Sequence, residues 1–150
     1  MSAADPLATL LDLWRASTFA ARRVDRPLGG AHGLSLVDLA ILVALDGSPG
    51  GRLRRVELAD RLGMSQSSVT RLLAPLERIG VVRRVRDERD RRAAFAELTD
   101  AGRRLTGDAV ATARSAAEDV LRGWPDEEVA ALDAAVTRLT AGAPGLRPVG

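Results

Sequence analysis

Residues 56–104 read VELADRLGMSQSSVTRLLAPLERIGVVRRVRDERDRRAAFAELTDAGRR. Val56, Ala59 and Leu62 give a short helix one apolar stripe, and Gly63 turns the chain. Ser65 is placed as an N-cap for a second helix. At about 100° per residue, Val69, Leu72, Leu73, Leu76 and Ile79 fall on one side of that helix. Ser67, Thr70, Arg71, Ala74 and Arg78 fall on the other, and Gly80 is positioned to end it. Val81, Val82 and Val85, then Phe95 and Leu98, flank a charged tip in the manner of a β-hairpin. Helix, turn, helix and hairpin without a gap are the parts of a helix-turn-helix followed by a wing.

Outward from this stretch the chain is helical. Leu7, Leu10, Leu11, Trp14 and Ala21 predict a first helix from about Pro6 to about Arg26, ended by Pro27 and Gly29-Gly30. Leu36 to Leu45 predicts a buried second helix, and the glycines at 47, 50 and 51 predict a loop into the head. Thr99 caps a long helix reaching about Gly123, with Leu105, Ala109, Ala113, Ala116, Val120 and Leu121 as its stripe. Trp124 is expected to pack the following corner. Pro125 and three acids open a last helix with Val129, Leu132, Val136 and Leu139 as its seam. The expected fold is therefore mainly α with a small β-hairpin wing. It forms a single 1–150 domain, with a head over 52–98 on a helical base of 5–30 and 99–142, and a loose tail at 143–150.

Composition agrees with helices packed through small aliphatic side chains, since 46% of the 150 residues are hydrophobic and only 3% aromatic. The pI of about 10.7 is weak evidence for a nucleic-acid partner: all 22 basic residues are Arg and there is no Tyr or Cys, so a net charge of +2 suffices to raise it. Distribution says more. Residues 52–92 hold 12 Arg against 6 acids, and the remainder 10 Arg against 14 acids, so positive charge is concentrated on the helix-turn-helix and hairpin.

A helix entering a DNA major groove needs short or forked polar side chains near its start. Gln66, Ser67, Ser68, Thr70 and Arg71 meet that need: Arg71 can pair with guanine or grip a phosphate, Gln66 can pair with adenine, and the hydroxyls suit phosphate oxygens. The plainer reading is a solvated first turn. At the hairpin tip, residues 86–92 carry four Arg and three acids, which is either a solvated loop with local ion pairs or an arginine projected into a minor groove. In the second case Asp90 would hold the guanidinium of Arg92 by a two-pronged contact.

These residues resemble the MarR family of winged-helix transcriptional regulators. The likeness is carried by Leu58-Ala59, Leu62-Gly63-Met64-Ser65, Ser68 to Leu72, Leu76-Glu77, Gly80-Val81-Val82, Asp87, Arg89 to Arg92, Leu98-Thr99 and Gly102-Arg103. The resemblance implies a homodimer, its first and last two helices interlocked, whose two heads read a palindromic operator. It implies that Arg92, oriented by Asp90, enters the minor groove; Arg91 beside it and Arg78 on the outward face of the second helix are further candidate DNA contacts. It also implies a repressor released by a small amphipathic or aromatic ligand, for which Trp14, Arg15, Phe19, Arg22 and His32 are candidates between base and head. His32 on its own reads as an exposed loop residue. The chain departs from the family at Pro75, which should kink the second helix. Without cysteine it also lacks the peroxide sensor of one subgroup.

The expected partners are double-stranded DNA, a second copy of the chain and a small-molecule effector. No cofactor, metal site or membrane segment is expected, and the expected location is the cytoplasm. An enzyme is disfavoured, since no nucleophile stands with its base, there is no phosphate loop and there is one His. The alternative function is a winged-helix protein-interaction module that has lost operator recognition, with Pro75 as its best support.

Overall fold

Asp5 begins the first helix by accepting the Leu7 N–H at 3.1 Å, with Pro6 in the first turn, where its missing N–H costs nothing. The computed structural model describes residues 5–90 and 92–141; Arg91 and the tail expected at 143–150 lie outside them. Helix α1 (Pro6–His32) runs on through Pro27 and Gly29-Gly30, past the predicted end near Arg26. Local breaking signals lose here to burial, because Val24 and Leu28 sit in the core where α1 packs on the long helix near the C-terminus. The helix stops at Gly33, whose φ of 68° lets its N–H reach back to Gly29 O at 3.1 Å.

Helix α2 (Leu36–Asp46) starts with a capping box in which Ser35 and Asp38 bond each other's backbone N–H groups at 3.1 and 2.8 Å. Leu39, Ile41, Leu42 and Leu45 are buried, as its nearly all-apolar sequence requires. A single 3-10 turn, Pro49–Gly51, then brings Gly51 beneath the guanidinium of Arg103.

Strand β1 (Arg52–Arg54) was not anticipated. Its one signal is an Arg-Leu-Arg alternation that buries only Leu53. Helices α3 (Arg55–Leu62) and α4 (Gln66–Arg78) follow, then β2 (Val82–Arg86) and β3 (Ala94–Leu98). The sheet is antiparallel in the order β1-β3-β2, with Leu53 opposite Ala96 and Val82 opposite Leu98 on the core side. Two expected core positions prove exposed. On α3 the inward residues are Leu58 and Ala59 while Val56 is 43% exposed, and at the end of α4 Ile79 is 60% exposed.

Helix α5 (Asp100–Val120) is capped by Thr99, which accepts the Gly102 N–H at 3.0 Å, and ends three residues before the predicted Gly123. Ala109 and Ala116 are buried against α1 and α2. Helix α6 (Asp126–Ala141) buries none of its residues, so the seam Leu132, Val136 and Leu139 faces outward, and Trp124 before it is exposed rather than packed. Among the described residues no single helix is long and apolar enough to cross a membrane.

Candidate nucleic-acid interface

The start of α4 is organised by one hydroxyl. Ser65 Oγ accepts the Ser68 N–H at 3.2 Å, donates to Ser68 Oγ at 2.9 Å and lies 3.0 Å from Ser67 Oγ. Gln66, Ser67, Thr70, Arg71 and Arg78 are left exposed as the sequence predicts, whereas Ser68 is half-buried and engaged with the cap. Arg71 leans back toward Ser68 over a groove that Val37, Met64 and Leu72 complete. Pro75 is exposed, and α4 passes through it as one helix; the carbonyl deprived of its intrahelical donor is that of Arg71.

The wing tip is built by its acids, though not as expected. Asp90 Oδ1 accepts the Arg92 backbone N–H at 3.0 Å, so it shapes the turn and does not grip the Arg92 guanidinium. A short polar side chain two residues before an amide closes such a turn more readily than it reaches a long flexible fork. The carboxylate that does hold a guanidinium is Asp87. It bonds Arg54 Nη2 at 2.8 Å and the Arg89 N–H at 2.9 Å, latching the tip to β1. The Arg89 N–H first, and the Arg54 guanidinium after it, hold the Asp87 carboxyl below the usual carboxylate range. The latch contribution is therefore present above the unfolded value of about 3.9 and is lost only as pH falls through the lower folded value. Trypsin cleavage at Arg89 is accordingly expected to stay constant from pH 7.5 down to about pH 5 once corrected for enzyme activity. Accelerated cleavage within that range would contradict the latch.

Between the start of α4 and the wing lies a cleft of about 350 Å³ where Gln66 meets Arg55, Arg84 and Arg92, with Arg54, whose guanidinium turns away to Phe95 and Asp87, at its edge. Arg55 is paired with Glu77 at 3.5 Å and Arg54 with Asp87. Among the described residues no carboxylate stands within 4.0 Å of the Arg84 or Arg92 guanidinium, so both present their charge outward. Sequence reading missed Arg54, Arg55 and Arg84. The available signal was strand parity: Arg84 shares a face with Val82, and that face leaves the core toward the tip and opens beside α4.

The five ligand candidates are not brought together. Trp14, Arg15, Phe19 and Arg22 are exposed along α1, and Arg15 faces Asp12 at 3.8 Å. His32 is not an exposed loop residue: it is the last residue of α1, half-buried, with Nε2 2.8 Å from Thr112 Oγ1 on α5. Thr112 in turn lines a cavity of about 420 Å³ with Pro27, Ala111, Ser115, Ala116 and Asp119.

A model described as MarR family matches residues 32–93. A search of curated protein sequences gave no significant match. Among solved structures, a MarR family transcriptional regulator from Streptomyces coelicolor in complex with DNA is 28% identical with a TM-score of 0.81, over 99% of this chain and 91% of that one. The transcriptional regulator BldR from Sulfolobus solfataricus is 29% identical with a TM-score of 0.72, over 88% and 92%. CouR from Rhodococcus jostii, bound to p-coumaroyl-CoA, shares the fold at 24% identity and a TM-score of 0.77, over 94% and 97%. The family match covers the helix-turn-helix and most of the wing, and the structural likeness extends over the flanking helices: the chain has the fold of, and is similar along its length to, the MarR family of winged-helix transcriptional regulators.

Proposed function

We propose that the protein is a homodimeric repressor that reads a palindromic operator and is released by a small amphipathic or aromatic ligand. The observation that carries this reading is the convergence of Gln66, Arg84 and Arg92 on one cleft beside the polar face of α4. One element is then presented to a major groove and the other to the adjoining minor groove. Ser67, Thr70 and Arg71 face the bases and their flanking phosphates, Arg78 the backbone, and Asp90 keeps the turn that projects Arg92; Arg91, outside the described residues, is proposed as a further DNA contact on its sequence alone. Ser68 acts through the cap.

Dimerisation is supported by the apolar residues that the single chain leaves uncovered. Leu7, Leu10, Leu11, Trp14 and Phe19 on α1, with Leu132, Val136 and Leu139 on α6, are each at least 40% exposed. So much aliphatic and aromatic surface at the two ends of a chain is what a second copy covers. The effector reading is supported by the cavity at the α1–α5 junction, which adjoins the His32–Thr112 contact. The strong basic convergence disfavours the protein-interaction alternative.

Selection of bound duplexes from a random pool, followed by footprinting, tests the proposal. Two inverted half-sites about one helical turn apart are expected. Scattered single sites, or no enrichment, would refute it. On the selected site Arg92→Ala should weaken binding about tenfold when the flanks are A·T-rich, and less when they are G·C-rich. An equal loss on both would reduce Arg92 to an ordinary phosphate contact.

A further inference from the structure

The wing has two faces, and only one of them looks toward α4. On the other, Arg52, Arg54, Val85 and Phe95 stand together, opposite in parity to the inward Leu53 and Ala96. Here the Arg52 guanidinium carbon lies 4.9 Å from the Phe95 ring centre and that of Arg54 5.5 Å away. A guanidinium held against an aromatic ring keeps its charge and its N–H edge while losing much of its freedom. These groups, with Arg86 and Arg89, line a cleft of about 490 Å³ that runs to the tip. Its two carboxylates, Asp87 and Glu88, do not cancel the four guanidiniums, and Asp87 is already committed to Arg54.

We propose that this outer face of the wing grips the second phosphate wall of the minor groove that the tip enters. The inference rests on the DNA-binding reading above. A minor groove is about 6 Å wide and is walled on both sides by phosphates, too narrow for the ribbon itself; with the tip arginine in the groove, the ribbon stands over it and turns one face toward each backbone. Arg84 addresses the wall nearer α4 and Arg52 and Arg89 the far one, with Arg92 in the groove between them. The arginine pair stacked on Phe95 covers the ring, so the cleft offers charge rather than a stacking surface, and a phosphate backbone fits it better than a planar ligand.

The test uses the full-length protein and the duplex recovered by selection, with uncharged methylphosphonates replacing phosphates on the near or the far wall. Neutralising the far wall should weaken wild-type binding about fivefold, weaken Arg89→Ala by less, and weaken an Arg52→Ala, Arg89→Ala double variant no further, because that variant has already lost both contacts. Arg89→Ala should also lower the slope of log affinity against log salt by about 0.9. The Arg89 side chain has no carboxylate partner among the described residues, so its removal leaves the turn standing; Arg52→Ala should repeat the result. Unchanged wild-type affinity on the far-wall duplex would overturn the inference, as would an equal loss in wild type and the double variant. In either case near-wall binding survives. A wild-type protein that retards no duplex would instead overturn the DNA-binding reading itself.

Discussion

Gly102→Ala is expected to destabilise the protein by on the order of 3 kcal/mol, lowering its thermal midpoint by about 6–12 °C. Gly102 lies in the first turn of α5, and a Cβ added there would overlap the Val81 carbonyl oxygen, with Leu98 Cδ1 only 2.8 Å away. Neither neighbour can yield easily. The Val81 oxygen accepts the Thr99 N–H at 3.1 Å, and Val81 and Leu98 are both core residues. Gly107 in the same helix is the control: nothing lies within 4 Å of its added Cβ, so Gly107→Ala should stabilise by about 0.5–1 kcal/mol through helix propensity. Circular dichroism melts at one fixed protein concentration measure both. A Gly102→Ala midpoint within about 2 °C of wild type would show that the junction is loose.

Charging the exposed apolar face of α1 should have the larger effect on DNA. In a Leu11→Asp, Trp14→Asp variant, two positions that are 52% and 66% exposed in the single chain acquire carboxylates that a dimer would have to bury. The expected product is a monomer whose affinity for the two-half-site duplex falls at least about 100-fold, because the second head no longer binds at high effective concentration. Its affinity for a single half-site should change little. Sedimentation and gel retardation give the two readings. A variant that still sediments as a dimer would locate the self-contact elsewhere.

The sequence made the head legible wherever local chemistry and burial agree. Ser65 and Thr99 cap the helices they were expected to cap, and Val82 and Val85 lie in the expected strand, with Val81 just before it. It misled where tertiary packing overrides a local signal. Pro27 and the two glycines after it look like a helix end, yet Leu28 between them is fully buried and carries α1 onward. Strand β1 was hidden because three residues are too few to show a period. On the minor-groove reading of the tip Asp90 holds the Arg92 guanidinium, but distance in sequence does not decide between a turn amide and a side-chain fork. The true guanidinium holder, Asp87, finds its partner 33 residues away on β1, which no local pattern reveals. The exposed seam of α6 was legible as a seam, while what covers it was not.

One joint described above governs what the head can measure. Thr99 donates its hydroxyl to Gly80 O and its N–H to Val81 O, so the end of α4, the roots of both wing strands and the start of α5 are fastened at a single point. Turning α4 without the wing would break those bonds. On the proposed reading, the angle between helix and wing is a fixed gauge laid along the duplex, and a site with the right bases but the wrong helical twist would fit one arm of the gauge and miss the other. The head would then select for the torsional state of its DNA as well as for its letters.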